Sequence, residues 1–338
     1  MSTSTAVSAP ASGVARWGQL GLGLLCMIAI SSPQYVWTLF TKPFGTQLAA
    51  PAAAIQVTFS ILIVLQTFFS PIQGELVQRF GPRRLIAIGG LLSGLSWVLA
   101  SQVESLWGLY LTYGLIGGIG TGIVYVGVVG QMVGGFPDRR GFAAGVVAAG
   151  YGMGAIATTF PIADSLAAHG HQATLLRFGV IFGAVGLLAA LGLRPTAASS
   201  ASSAPLTGSS TRDMLRSPIF WLMFLMMSLM STSGLMATSQ IGAIAADAGV
   251  TKATVWGFAA LPLALTIDRF CNGLTRPFFG WLSDRLGREQ TMCLAFALEG
   301  AAMTLWLLTR TDPVLFVFCC RVSFSSAGAR PFRCFPRR

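Results

Sequence analysis

Arg276 is a charged residue inside an apolar stretch, NGLTRPFFGW, and it is the first candidate for chemistry. Asp284 follows eight residues later, within a polar stretch, which in a helix places Arg276 about 12 Å deeper. That depth is near the middle of a hydrocarbon core about 30 Å thick, where an arginine costs at least about 2.5–3.5 kcal/mol. A guanidinium fits a carboxylate through two parallel hydrogen bonds, so we expect Arg276 to bind an anion. The alternative is structural: the side chain reaches the aqueous surface or bonds backbone carbonyls.

Four further polar residues lie inside apolar runs. Arg269 precedes Arg276 by seven residues, on nearly the same helix face. Two interpretations stay open for it, an ion pair with a nearby aspartate (Asp268 or Asp247) and a second contact to substrate. The other three are the tyrosines Tyr35, Tyr125 and Tyr151. Tyrosines that anchor a helix at the membrane interface lie at the ends of apolar runs, whereas these three lie away from the ends. Their phenols could hydrogen-bond a carboxylate in a central cavity.

The composition indicates which elements position these residues. The chain has 338 residues, of which 54% are hydrophobic and only 10% charged, against about 25% charged in soluble domains. Apolar runs of about 20 residues recur along the chain, as expected of a polytopic all-α membrane protein. We predict nine membrane spans, near residues 17–41, 53–73, 84–102, 106–134, 141–163, 174–194, 218–246, 254–280 and 290–309.

The polar stretches divide the chain into regions. Residues 1–16 are rich in Ser and Ala and predict a disordered tail, and residues 195–217 predict a flexible linker. We therefore expect a six-helix bundle over 17–194 and a partial second bundle over 218–318. A tenth span begins after Asp312, but residues 319–338 carry five arginines and cannot cross a bilayer at tolerable cost. We interpret them as an aberrant basic tail; the alternative is a cytoplasmic basic tail that touches anionic lipid.

The distribution of charge predicts the orientation. If the N-terminus and the linker share one side, that side carries eleven basic residues and the other carries four. The positive-inside rule places the eleven in the cytoplasm, in a cell (inner or plasma) membrane. The eleven are Arg16, Arg79, Arg83, Arg84, Arg139, Arg140, Arg194, Arg212, Arg216, Arg285 and Arg288, and the four are Lys42, Arg177, Lys252 and Arg310.

Two loops of similar sequence indicate an internal repeat. The first loop, after the second span, is GELVQRFGPRR, and the second loop, after the eighth span, is GWLSDRLGREQ. Both loops have Gly, Leu, Arg and Gly at the same spacing, followed by a further arginine. Such a repeat is expected of a transporter built from two halves. The glycines allow close helix approach, and the arginines could meet carboxylates or helix C-termini in a latch that opens when the halves rock. The predicted latch residues are Gly74, Arg79, Gly81, Arg83, Gly280, Asp284, Arg285, Gly287 and Arg288.

These loops resemble the major facilitator superfamily motif Gly-x-Leu-Ala-Asp-Arg-x-Gly-Arg-Arg. Its aspartate is Gln78 in the first copy and Asp284 in the second. Four stretches narrow the resemblance to the oxalate/formate antiporter family: SSPQYVWTLF, GIVYVG, FPDRRGFAAGVVAAGYGMG and NGLTRPFFGWLSDRLGRE. The resemblance covers about residues 17–318 and implies a major facilitator-type fold with about nine to ten of twelve helices.

The same resemblance implies a binding site. In that family an arginine in helix 8 and a lysine in helix 11 bind the carboxylates of the substrate inside an aromatic cage. The arginine corresponds to Arg276, and the cage positions correspond to Gln34, Tyr35, Tyr125 and Tyr151. The lysine has no counterpart, because the chain ends before that helix.

Several other classes of function are not expected. The glycine runs GLIGGIGTGIVYVG and GVVAAGYGMG lie in apolar helices and indicate close helix packing rather than nucleotide loops. His169 and His171 lack further ligands for a metal, and the six cysteines have no ligand spacing. We expect no cofactor, no enzymatic activity and no nucleic-acid partner, and we expect a monomer in the lipid bilayer.

Three hypotheses for the function follow. The first is a secondary transporter of small organic anions, exchanging carboxylates of the oxalate and formate type by alternating access. The second is a truncated membrane protein that does not transport. The third is a facilitator for another monocarboxylate, since one arginine fixes only the sign of the substrate's charge.

Overall fold

The computed structural model describes residues 13–194, 211–226, 228–229, 254–255 and 258–309, and this part is almost entirely helical. The helices are α1 (Gly13–Ala29), α2 (Ser32–Tyr35), α3 (Trp37–Gln47), α4 (Ala52–Phe68), α5 (Ser70–Phe80), α6 (Pro82–Ala100), α7 (Leu106–Leu109), α8 (Gly117–Gly135), α9 (Arg140–Gly192), α10 (Thr211–Arg216), α11 (Ala260–Leu286) and α12 (Arg288–Thr309). Residues 218–226 are helical as well. A π-helix, Tyr110–Ile116, joins α7 to α8.

Several of these helices can cross a membrane. Within the described residues, α6, the run Leu106–Gly135 and α9 are long and apolar enough by themselves. Two bent pairs, α1–α2 with α3 at 51° and α4 with α5 at 54°, raise the number to five. Large apolar side chains such as Phe68, Trp107 and Phe160 lie more than two-thirds exposed on the outside, as a lipid-facing surface requires.

Helix α9 supplies two spans rather than one. It has 53 residues, but Gly170 interrupts it with φ 77° and ψ 175°, a conformation open to glycine alone. Ser165 Oγ and Thr174 Oγ1 lie 3.0 Å apart across this bend. Residues 140–169 and 171–192 therefore form two antiparallel arms, and residues 13–192 make the six predicted passes.

The first span is broken where it carries two of the predicted binding residues. The sequence predicts a continuous span over 17–41. In the structure α1 ends at Ala29, and the short α2 that follows has Pro33 near its N-terminus. Val36 then leaves helical geometry at ψ 2°. The Tyr113 hydroxyl, fully buried, donates 2.8 Å to the carbonyl of Pro33 and so satisfies a polar group inside the bundle.

Glycines bring the helix backbones into contact, as the glycine runs predict. Gly94 of α6 faces Gly179 and Gly183 in the second arm of α9, and Gly90 faces Gly186. Between α9 and α11, Gly141 meets the backbone of Gly280. Such contacts stabilise helix pairs through dispersion when no side chain separates the backbones.

The two copies of the loop motif form the same turn. Gly81 ends α5 at φ 86°, and Gly287 ends α11 at φ 88°, a left-handed conformation that favours glycine. A new helix begins at the next residue in both cases, with Pro82 or with Arg288. The geometry therefore repeats where the sequence does.

The largest differences from the predicted spans lie in the second half. Span eight was expected near 254–280, but β1 (Thr254–Val255) and β2 (Phe258–Ala259) pair antiparallel there, and α11 runs from Ala260 to Leu286. The β-branched Thr254 and Val255 favour strand geometry. In the predicted linker, 211–216 form α10, whereas 195–210 lie outside the described residues, as do residues 1–12, 230–253 and the predicted tail 319–338.

Substituting Gly94 by alanine should destabilise the bundle. The added Cβ would lie 2.5 Å from the Gly183 Cα and 2.6 Å from the Gly179 carbonyl oxygen, so two helices must separate. We expect the free energy of unfolding to fall by about 1–3 kcal/mol. The measurement is denaturant unfolding of the purified protein in micelles, followed by circular dichroism.

Gly130→Ala is the matched control, because a Cβ at Gly130 meets no atom within 4 Å. This variant should be at least as stable as the parent protein, because alanine is the better helix former. Equal stability of the two alanine variants would contradict the packing described for α6 and α9.

Candidate functional site

Arg276 lies in α11 and points toward the first arm of α9. Its Nη1 donates to the carbonyl oxygen of Ala148 at 3.3 Å, and its side chain is partly buried. The close approach of Gly145 to the backbone of Arg276 and Pro277 makes this possible, since a side chain at Gly145 would hold the helices apart. The carbonyl contact expected from a structural role is thus present, and it uses one of the five N–H groups of the guanidinium.

Three predicted tyrosines from three spans meet beside this arginine. The Tyr151 ring centroid lies 5.7 Å from that of Tyr35 and 5.3 Å from that of Tyr125, both in edge-on geometry. Tyr151 is one helical turn beyond Ala148, whose carbonyl oxygen accepts the hydrogen bond from Arg276. The structure therefore brings these four residues together, as the resemblance implied.

A chain of hydrogen bonds runs through the same place. Gln66 Nε2 donates 2.8 Å to the Tyr151 hydroxyl, which in turn donates 2.5 Å to Gln34 Oε1. Gln34 was among the predicted binding residues, whereas Gln66 was missed. The signal available for Gln66 was its position as a polar residue in the apolar run of α4.

Asp284 joins the two halves on the predicted cytoplasmic side. Its Oδ1 accepts from the backbone N–H of Gly141, and its Oδ2 accepts from that of Phe142, both at 2.9 Å. These are the first amides of α9, whose N-terminal dipole favours a negative charge. The latch predicted at the loop motif is therefore a carboxylate on a helix N-terminus.

Arg79 and Arg285 lie in the last turns of α5 and α11, which is one of the two settings predicted for the motif arginines. In the described part of the chain, Arg79 lies over the ring of Phe80 at 5.7 Å and Arg285 over that of Trp281 at 4.2 Å, and neither forms an ion pair. The physical reason is that Asp284, the acid in the motif, already binds two amides. Exposed cations then gain more from the face of a neighbouring aromatic ring.

The remaining latch residues have varied surroundings. Arg83 and Arg288 lie exposed at the starts of α6 and α12. A Cβ at Gly74 would meet Val126 at an ordinary 3.6 Å, whereas a Cβ at Gly280 would clash with the carbonyl of Gly141. The close approach of α11 to α9 therefore requires glycine at position 280, in the second copy of the motif, whereas position 74 in the first copy has room for a side chain.

An ion pair holds the segment that precedes α9. Arg16 binds Asp138 and also lies over the ring of Phe136 at 4.6 Å. Its guanidinium, through a hydrogen bond, holds the pKa of the Asp138 carboxyl below its usual value. This pairing stabilises the fold at neutral pH and is lost as acid protonates Asp138. Residues 136–142 are thus fixed from one side by α1 and from the other by Asp284.

The loop histidines show no metal site. His171 shares a hydrogen bond with Gln47 at 2.5 Å and packs on Phe44. No group of three or more metal-ligating side chains occurs in the described residues. Arg269 lies in α11 seven residues before Arg276, but its side chain is outside the described part of the structure, so its two interpretations stay open.

Comparison with known proteins agrees with this architecture. The profile of the Major Facilitator Superfamily matches residues 20–329. The chain is 31% identical over 319 residues to the oxalate:formate antiporter of Oxalobacter formigenes, which covers 93% of this chain and 74% of that protein. It is 34% identical over 119 residues to monocarboxylate transporter 13 of Bos taurus, covering 35% of this chain and 28% of that protein.

A solved structure shares the fold. The proton:xylose symporter XylE superimposes with a TM-score of 0.64 over 94% of this chain and 80% of that chain, at 12% sequence identity. At that identity the likeness concerns the fold alone. The profile match over most of the chain and the 31% identity to a curated transporter identify a multi-pass membrane transporter rather than an enzyme. The chain belongs to the Major Facilitator Superfamily.

Proposed function

We propose that this protein is a secondary transporter that exchanges small carboxylates of the oxalate and formate type by alternating access. The observation that carries the proposal is Arg276, a cation inside a predicted span and next to the hydrogen-bonded Tyr151. The 31% identity to a protein named as an oxalate:formate antiporter supports the choice of substrate.

In this proposal Arg276 binds one carboxylate of the substrate. A cation inside the bilayer is costly, and a bound anion offsets much of that cost while gaining two charge-assisted hydrogen bonds. The wall of the site consists of Gln34, Tyr35, Tyr125 and Tyr151, whose rings exclude water and whose polar atoms orient the anion. Arg269 is a candidate for a second contact.

The Asp284 contact supplies a gate in the same proposal. Its two hydrogen bonds to Gly141 and Phe142 hold the predicted cytoplasmic ends of α9 and α11 together. While they last, the site is closed to the cytoplasm. Opening toward the cytoplasm requires both bonds to break, which the rocking of one bundle against the other would achieve.

A facilitator for other monocarboxylates is the second candidate. The 34% identity over 119 residues to a protein named monocarboxylate transporter 13 favours it. One arginine suffices for a substrate with a single carboxylate. Comparing a dicarboxylate with a monocarboxylate in one assay distinguishes the two candidates.

Exchange by the purified protein tests the proposed function. In proteoliposomes loaded with formate, external labelled oxalate should accumulate, and Arg276→Ala should lower the rate at least about 30-fold, the equivalent of about 2 kcal/mol for an unpaired charge. Arg276→Lys should fall between the two, because it keeps the charge and loses the planar fork. Lactate replaces oxalate in the arm that tests the second candidate.

Arg177→Ala is the matched control, since this exposed arginine belongs neither to the predicted site nor to the loop motif. It should exchange at nearly the parent rate. Absence of exchange of either anion by the folded parent protein, or equal rates for the parent and Arg276→Ala, would contradict the proposal and favour a protein that does not transport.

Removing the Asp284 carboxylate should expose the start of α9. In Asp284→Ala the amides of Gly141 and Phe142 lose their acceptors, and capping interactions of this type contribute about 0.5–2 kcal/mol. Hydrogen exchange of a peptide spanning 137–146 should therefore become roughly 2- to 30-fold faster, measured by mass spectrometry. Glu289→Ala, which removes a nearby exposed acid, should leave that peptide unchanged. Unchanged exchange in Asp284→Ala would refute the gate.

A further inference from the structure

Gln66 occupies a position that the predicted site does not account for. Helix α4 carries two glutamines in its apolar sequence, Gln56 and Gln66. Gln56 accepts a hydrogen bond from the indole nitrogen of Trp37 at 3.1 Å. Gln66 instead donates to the hydroxyl of Tyr151, and its Oε1 is buried and has no hydrogen-bond partner in the described residues.

The direction of this bond decides the direction of the next. A phenol has one proton, and since the Tyr151 oxygen accepts from Gln66, that proton goes to Gln34 Oε1, 2.5 Å away. The carbonyl end of Gln34 is then occupied. Its Nε2 forms no hydrogen bond within the described residues, so Gln34 has two N–H groups to offer to a ligand.

Hydrogen bonds in the opposite direction would give the site the opposite ligand preference. If Gln66 turned its Oε1 toward Tyr151, the phenol would donate to Gln66 and accept from the Gln34 nitrogen. Gln34 would then present a carbonyl oxygen, which repels a carboxylate and accepts from a protonated acid or an amide. When Gln66 presents its donor end to Tyr151, Gln34 presents its own N–H groups at the other end of the chain of hydrogen bonds. The orientation of Gln66 therefore favours an ionised ligand at Gln34.

We infer that Gln66 is a positioning residue that fixes the donor direction of the Gln66–Tyr151–Gln34 chain, and that the site thereby selects ionised carboxylates over neutral amides and acids. This inference rests on the proposed function, and it deepens the function by specifying the ionisation state of the substrate. Gln66 acts through the Tyr151 hydroxyl and needs no contact with the ligand.

Binding of oxalate and oxamate tests the inference. Oxamate has the shape of oxalate with one carboxylate replaced by an amide, so it supplies N–H donors where oxalate supplies only acceptors. Equilibrium dialysis of the purified full chain gives both dissociation constants. The parent protein should prefer oxalate, and Gln66→Met, which keeps length and volume, should reduce that preference roughly 5-fold, the effect of one net hydrogen bond.

Two controls separate positioning from a structural effect. Gln56→Met makes the same change on the same helix outside the chain of bonds and should leave the preference unchanged. In a Tyr151→Phe background, Gln66→Met should have no further effect, because the hydroxyl through which it acts is gone. Gln66→Leu provides a second variant if the methionine variant does not elute as a folded protein.

Each outcome has one meaning. A smaller oxalate preference in Gln66→Met or Gln66→Leu, absent in the Tyr151→Phe background, supports the inference. Equal weakening of both ligands, or an effect that persists without the hydroxyl, overturns it while leaving the proposed function intact. If the folded parent protein binds neither ligand, the proposed function fails and the role of Gln66 with it.

Discussion

The backbone contact between α9 and α11 is the constraint on which the site depends. Gly141 meets Gly280, and one turn deeper Gly145 meets the backbone of Arg276. Because no side chain separates the helices there, the guanidinium reaches the Ala148 carbonyl and the neighbourhood of Tyr151. The same crossing brings Asp284 onto the first amides of α9. Two glycine positions thus set both the position of the cation against α9 and the contact of Asp284 with the first amides of that helix.

Several polar groups inside this bundle find hydrogen-bond partners on neighbouring spans. Tyr113 donates to the carbonyl of Pro33 at the break in the first span, and Gln56 accepts from Trp37. A membrane protein needs such partners, because an unpaired backbone group in hydrocarbon costs several kcal/mol. The break places Gln34 and Tyr35 where an irregular backbone faces protein, which is the setting in which transporters bind substrates.

Much of this could be predicted from the sequence, because apolar length and glycine spacing are local properties. The helical segments of the first half and the repeated turn at Gly81 and Gly287 follow from them, whereas the depth of Arg276 in a membrane stays a prediction. Partners distant in sequence could not be predicted: no local signal indicated that Asp284 would bind amides more than a hundred residues away, or that Gln66 would reach Tyr151. For the motif arginines the sequence left two partners open, a carboxylate or a helix C-terminus, and Arg79 and Arg285 lie in the last turns of their own helices.

The most direct test of the account is the distance between a bound carboxylate and the Arg276 guanidinium. Solid-state NMR of the protein in bilayers, with ¹⁵N-labelled arginine and ¹³C-labelled oxalate, measures it. Charge-assisted bonds of about 2.7–2.9 Å between nitrogen and oxygen predict a carbon–nitrogen separation of about 3.5 Å, and Arg276→Lys should remove the coupling that comes from Arg276. Bound oxalate without any such coupling, or couplings that are unchanged in Arg276→Lys, would contradict the assignment of Arg276 as the carboxylate site.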